Sequence, residues 1–463
     1  MPDRPNVLFV MTDQQRGDCL GVEDHPCLLT PTMDSLAHHG TRFRHAYTTC
    51  PVCIPARRSL MTGTFPSTHG LVGYRDGQPW DAPTTLPTAF RDAGYQTAIV
   101  GRNMHLSPRR KRYGFEEMVI STGKETGDYE QFLARQMPEG GGGYYGSGVM
   151  HNDWTARPWH LDEHLHRTNW TVNQALDFLQ RRRDPSCPYF LTVSFIAPHP
   201  PLHPPAPYFE RYLRTGVPDP VIGTWADPPP DGITARSPNA SRVNLEGEAL
   251  RAARAAYFGL INHVDDQLRR ILNGVTGIDT QHTIIVFTSD HGEMLGDHYR
   301  WRKSQPYEPA ARIPYLIRLP DEWKTSRGQA IDEAVCLEDL MPTLLELCGI
   351  RVPDTVEGSS LVPLLTGDRT RLDRPYVPLE HSGGWHALTD GTEKYVWRSD
   401  TGREQFFDLD DDPHEETDRT ATQRGRVAAW RDRLIERLED RPEGFVDDGE
   451  LVAGRPHSAL IPG

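Results

Sequence analysis

Two acid-bearing pairs, Asp13-Gln14 and Asp290-His291, each close a short apolar, β-favouring run, Asn6 to Thr12 and Thr283 to Ser289. Such runs predict strands buried on both faces. Open parallel sheets place their ligands just past the carboxyl ends of such strands. Together the pairs supply two carboxylates, an amide oxygen and an imidazole, a donor set suited to a hard divalent cation. Mostly oxygen donors favour Ca²⁺, while the imidazole keeps Mn²⁺ or another transition metal open. An isolated aspartate more often caps a loop or helix, so the coincidence of two strand ends carries the expectation.

A third element is Cys53-Ile54-Pro55-Ala56-Arg57, continuing through Ser59-Leu60-Met61-Thr62-Gly63. It sets a thiol four residues before an arginine in a proline-fixed turn. The planar guanidinium of Arg57 suits charge-assisted hydrogen bonds to an oxyanion. The stretch resembles the signature of the type I sulfatases, C-x-P-[SA]-R followed by a small helix ending in T-G. The resemblance implies that a formylglycine-generating enzyme oxidises Cys53 to formylglycine, whose hydrated aldehyde offers two hydroxyls on one carbon as an activated nucleophile. It also implies Ca²⁺ at Asp13, Gln14, Asp290 and His291, with position 53 completing the set. Ala56 stands where the commonest pattern has serine, and alanine also occurs there in related phosphonate and phosphodiester hydrolases. Sulfate esters are therefore the first reading and phosphonate monoesters or phosphodiesters the alternative.

Three further segments carry the same resemblance. Gly101-Arg102-Asn103-Met104-His105-Leu106 is similar to G-K-x-H-L. His105 aligns as catalytic, and because Asn103 occupies the lysine position, Arg102 and Asn103 are both candidates for substrate binding. Phosphonate hydrolases commonly lack this histidine, which favours the sulfatase reading. Ala197-Pro198-His199-Pro200-Pro201 is similar to the segment whose histidine protonates the leaving alcohol, work for which an imidazole is suited by a pKa near neutrality. Lys303, ahead of Ser304-Gln305-Pro306-Tyr307-Glu308, resembles K-x-x-x-[YF]-E, with the lysine on the transferred group. Asp297 and His298 lie between these elements, and His298 is a further substrate-binding candidate. Landmark stretches at Thr30 to Ala37, Asp339 to Leu344 and Phe407 to Pro413 extend the resemblance over nearly the whole chain.

These groups need a scaffold. Strands are also predicted at Thr97 to Val100 and Tyr189 to Phe195, and helices at Thr30 to His39, Glu248 to Asn273 and Leu337 to Leu347. Strands alternating with helices predict a doubly wound α/β layer; with the resemblance, the expectation is an alkaline-phosphatase-like, mainly parallel sheet sandwiched by helices, spanning 1–367. After Leu364-Leu365-Thr366-Gly367 the rhythm shifts to short strands at His386 to Thr389, Lys394 to Arg398 and Gln405 to Leu409 and a helix over Arg424 to Asp440, a small α+β unit with an antiparallel sheet over 368–463. Gly140 to Gly143 read as a flexible insertion, and the stretches Pro198 to Pro207 and Asp227 to Asp231 as ordered loops. Histidines 151, 160, 164 and 166, with Trp154, Trp159 and Trp170, suggest a lid or packing more than a second metal site.

The bulk properties restrict partners. A net charge of −14 opposes a nucleic-acid footprint and an anionic membrane surface, so an anionic substrate must be drawn by a local cluster of cations. No apolar run approaches membrane-spanning length. Seven cysteines at irregular spacing do not read as a disulfide framework, and no secretory leader is seen. The cytoplasm is the expected compartment, and a homo-oligomer stays open.

Overall fold

The structure is a computed structural model that describes residues 4–105, 107–123, 126–229, 237–273, 279–323 and 325–461. Leu106 of the histidine motif and the end of the expected loop, Pro230 and Asp231, lie outside the described residues.

Strands β1 (Asn6–Asp13), β2 (Thr41–Phe43), β3 (Ala46–Tyr47), β4 (Gln96–Arg102), β5 (Glu117–Ser121), β6 (Tyr189–Pro198), β7 (Thr283–Ser289), β8 (Tyr315–Arg318), β9 (Gln329–Ile331) and β10 (Val335–Cys336) build the main layer. Eight of them form one sheet in the order β5-β4-β6-β1-β7-β8-β2-β9, and β3 pairs separately with β10. The run from β5 to β7 is parallel; β8 is antiparallel to both neighbours. Along β1, Leu8 and Val10 join one core cluster while Val7, Phe9 and Met11 join another. Successive strand residues face opposite ways, so a continuous apolar run serves two helical layers. Helices Pro31–His39, Arg167–Asp177 and Gly247–Asn273 cover the first face. Helices Cys53–Thr62, Leu86–Asp92 and Leu340–Leu347 cover the second. The predicted helix at Leu337 begins instead as a 3₁₀ turn, Leu337–Asp339, whose Asp339 accepts from the Cys336 N–H at 2.8 Å.

Beyond Gly367, strands β11 (Val377–His381), β12 (Trp385–Thr389), β13 (Glu393–Trp397) and β14 (Glu404–Asp408) form an antiparallel sheet. Leu388, Tyr395, Trp397 and Phe406 on one face pack against Val427, Trp430 and Leu434 of helix Arg424–Leu438. The other face, with Leu379, Val396 and Phe407, packs on Tyr47, Tyr307 and Ala310 beside the main sheet. This seam holds a buried cation: Lys394 Nζ donates to Glu308 at 2.7 Å and to Glu415 at 2.8 Å. Two carboxylate partners offset the desolvation of a fully buried ammonium.

Candidate active site

Parallel pairing of β1 with β7 sets Thr12 opposite Ser289, so both chains leave the sheet together and bring Asp13 and Asp290 side by side. Gln14 then takes a left-handed turn, φ 72, and its backbone N–H donates to Asp290 Oδ1 at 3.1 Å. The helix Cys53–Thr62 points its N-terminus at this corner. Cys53 is its first residue rather than part of a preceding turn, because a proline is tolerated within a first turn, where its missing N–H costs no helical bond.

Arg57, one turn on, is fully buried between the acids. Its Nε donates to Asp290 Oδ2 and its Nη2 to Asp13 Oδ2, each at 2.8 Å. Nη1 reaches the Asn103 carbonyl at 3.2 Å and Ser194 Oγ at 3.3 Å. The guanidinium thus occupies one oxygen of each carboxylate. Asp13 Oδ1 lies 3.7 Å from Cys53 Sγ. His291 Nε2 lies 3.2 Å from the same sulfur, and its Nδ1 stands 2.9 Å from the Gly292 carbonyl, which directs Nε2 inward. Lys303 Nζ is 3.0 Å from Cys53 Sγ and 3.0 Å from Gln14 Oε1. Gln14 Nε2 donates to Glu293, a buried acid that also accepts from the Leu295 N–H at 2.8 Å.

Electrostatics follow from this packing. Burial alone would raise the Asp13 carboxyl, but Arg102, His199, Arg57 and Lys303 hold it well below the usual range. Burial and Asp13 push the Cys53 thiol up, yet Lys303 and His291 outweigh them and leave it below its ordinary value.

Asp13, Cys53, Asp290 and His291 place one donor atom each within 4.8 Å of one another. With Gln14 Oε1 this is an oxygen-rich, pre-aligned donor set, buried and held by outer hydrogen bonds, and it fits a divalent cation. The pair His160 and His164 makes no such group among the described residues: His160 Nε2 is 2.9 Å from the Gly141 carbonyl, and both side chains are exposed.

A sequence profile of the sulfatase family matches residues 5–350. A second, described as the C-terminal part of N-sulphoglucosamine sulphohydrolase, matches 296–442. The chain is 39% identical to an arylsulfatase of Clostridium perfringens over 99% of both chains. It is 30% identical to a choline-sulfatase of Rhizobium meliloti, over 98% of this chain and 86% of that one. Its fold is similar to the solved phosphonate monoester hydrolase of Agrobacterium radiobacter, at a TM-score of 0.79 and 25% identity, covering 98% of this chain and 100% of that chain.

The chain belongs to the sulfatase family. It has the alkaline-phosphatase-like fold, and the activity that this family membership carries is hydrolysis of sulfate esters.

The remaining expected residues of this sulfatase separate into two groups. Arg102 reaches the centre, with Nη1 paired to Asp13 Oδ2 at 3.0 Å and Nη2 2.8 Å from His105 Nε2. Asn103 works from behind: its carbonyl accepts from Arg57, and its Oδ1 accepts from the His105 N–H at 3.4 Å. His199 is anchored by its N–H to the Asp13 carbonyl at 3.1 Å and by Nδ1 near the Pro200 carbonyl at 2.7 Å. His298 lies apart. Its Nδ1 accepts from the Gly223 N–H at 3.0 Å and its ring packs on Trp225, in a different cavity.

A cavity of about 320 Å³ opens over Arg102 and His105, lined also by Tyr74, Tyr145, His151 and Arg167. His151 stacks on His199, ring centroids 4.6 Å apart. A larger groove of about 740 Å³ runs between Gln329 to Ala334 and Arg369 to Tyr376, with none of the expected site residues in its walls. Sequence reasoning overlooked Glu293 and Ser194. The only signal for Glu293 was an acid three residues beyond Asp290; Ser194 gave none, being one polar residue inside an apolar strand. The glycine-rich segment after Gly140 is tied down, Tyr144 packing edge-on to Tyr129 and His203.

Proposed function

We propose that the chain cleaves a small-molecule sulfate ester, aryl, sugar or alkyl, at position 53. The observation that carries this is the convergence of Asp13, Asp290, His291 and Lys303, from separate strand ends and a loop, on the one side chain at the helix N-terminus. After conversion by a formylglycine-generating enzyme, formylglycine supplies an oxygen nucleophile where the thiol sulfur now stands, and a cation, Ca²⁺ in preference to Mn²⁺, supplies charge to the sulfate oxygens.

Asp13, Gln14, Asp290 and His291, together with position 53, would hold that cation. Arg57 keeps the two carboxylates aligned toward it. Lys303 and Arg102 present fixed positive charge to the nonbridging oxygens, where preorganised electrostatics contribute most. His199 gives a proton to the departing alcohol. Burial, then Lys303, hold its pKa well below the ordinary value, and a low pKa makes the imidazolium a strong acid toward the leaving oxygen. His105 is kept neutral by burial and Arg102 and serves as the base of the second half-reaction. Cytoplasmic residence is supported by the cysteines, all seven of which are free thiols.

The test is paired hydrolysis of 4-nitrophenyl sulfate and 4-nitrophenyl phenylphosphonate by protein co-expressed with a formylglycine-generating enzyme and supplied with Ca²⁺ or Mn²⁺. Dominant sulfate turnover is expected. Dominant phosphonate turnover would install the alternative, which the fold similarity to a phosphonate monoester hydrolase keeps in view.

A further inference from the structure

A second polar cavity, of about 230 Å³, lies at the seam between the main layer and the antiparallel sheet. It shares no lining residue with the cavity over Arg102 and His105. Four arginines line it: Arg242 and Arg300 from the main layer, Arg398 and Arg403 from the two ends of the β13–β14 turn. Two carboxylates line it too, Asp227 and Asp400. Only Arg398 pairs with either, loosely, at 3.5 Å to Asp400, and among the described residues Arg242, Arg300 and Arg403 make no ion pair. The walls therefore carry an excess of positive charge at short range, in a chain whose net charge is −14.

Two residues in these walls each carry a buried donor without an acceptor. His298 is 2% exposed. Its Nδ1 accepts from the Gly223 N–H, so the neutral ring carries its proton on Nε2, which has no partner. Gln405 is also 2% exposed; its Oε1 accepts from the Tyr307 hydroxyl at 2.8 Å, and its Nε2 donors are unmatched. Buried donors without acceptors are destabilising, and guanidiniums crowded around one space repel one another. Burial together with Arg398, Arg242 and Arg403 pushes the Arg300 pKa down. A compact anion with several acceptor oxygens relieves that repulsion.

We propose that this cavity is a second oxyanion site, which takes a tetrahedral sulfate or phosphate group between Arg300, Arg398 and Arg403. The group has two possible sources, a free inorganic ion or a second sulfate carried by the substrate.

The test uses metal-loaded, converted enzyme and the double variant Arg398→Gln/Arg403→Gln, at one side chain that is 20% exposed and one that is exposed, with the thermal transition of the variant checked against wild type. Crystals soaked in selenate should show anomalous density in this cavity for wild type and none for the variant. In solution, the variant should keep its kcat for 4-nitrophenyl sulfate. If the source is a free ion, the dependence of that turnover on added inorganic sulfate or phosphate shifts by tenfold or more. If the source is the substrate, KM for a disulfated sugar rises tenfold or more, while KM for 4-nitrophenyl sulfate holds. Absence of density in wild type, or density with neither kinetic change, overturns the proposal.

Discussion

The Lys303 ammonium stands 3.0 Å from the Cys53 sulfur and, on its other side, 3.0 Å from the Gln14 amide oxygen. A lysine held between the proposed nucleophile position and an expected cation ligand is fixed in place before substrate arrives, and preorganised donors of this kind are worth about 10²–10³ in rate. Lys303→Ala should therefore lower kcat/KM for 4-nitrophenyl sulfate by about that factor while metal content stays at the wild-type level. A loss below tenfold would remove Lys303 from the machinery.

Cys53 is buried, and its sulfur is surrounded by Asp13, His291, Lys303 and Arg102. Cys53→Ala should abolish turnover and leave the thermal transition close to that of wild type, because one sulfur among polar neighbours contributes little packing. Intact mass gives an independent reading: conversion exchanges a sulfur and two hydrogens for an oxygen, lowering the mass by about 18 Da. Activity in a sample lacking that mass deficit would refute the proposed nucleophile.

The parts of the site legible in the sequence are those set by strand ends and by one helical turn. Asp13 and Asp290 follow continuous apolar runs that end in adjacent, in-register strands, and Arg57 is one turn from Cys53 within a single helix. What lay beyond reading is the path of the loop after Asp290. His298, Tyr299, Arg302 and Ser304 all adopt positive φ, from 52 to 70, a choice that propensity disfavours for such residues. This path turns His298 away toward Trp225 and delivers Lys303 to Cys53. Arg102 was ambiguous with Asn103 for a related reason: only the three-dimensional exit from β4 shows which of two neighbours reaches Asp13.

Cation removal gives a third prediction. Arg57 occupies Oδ2 of both carboxylates, and Asp290 Oδ1, which accepts the Gln14 N–H at 3.1 Å, is the oxygen proposed for the metal. Asp290→Asn should lose bound Ca²⁺ or Mn²⁺ on dialysis, measured as metal per chain. Ligand binding to the folded state adds about 2.7 kcal/mol at a hundredfold excess over Kd, so wild type should gain thermal stability with added cation and Asp290→Asn should gain little. Equal metal content and equal thermal gain in the two proteins would place the cation elsewhere.

Glu338 offers a pH-dependent test of the fold away from the chemistry. It is fully buried; Oε1 accepts from the Thr49 hydroxyl, while Oε2 has no partner. Burial raises its pKa from 4.5 to about 7. Between those values the folded chain keeps a proton that the unfolded chain has released. The stability contributed is thus complete below 4.5 and is lost as pH rises through about 7. A shift of this size is worth about 3 kcal/mol at its limit. Glu338→Gln, neutral at every pH, should gain on wild type in thermal stability between about pH 5 and pH 8. A gap between the two midpoints that stays constant over that range would mean that Glu338 is ionised in the folded protein throughout.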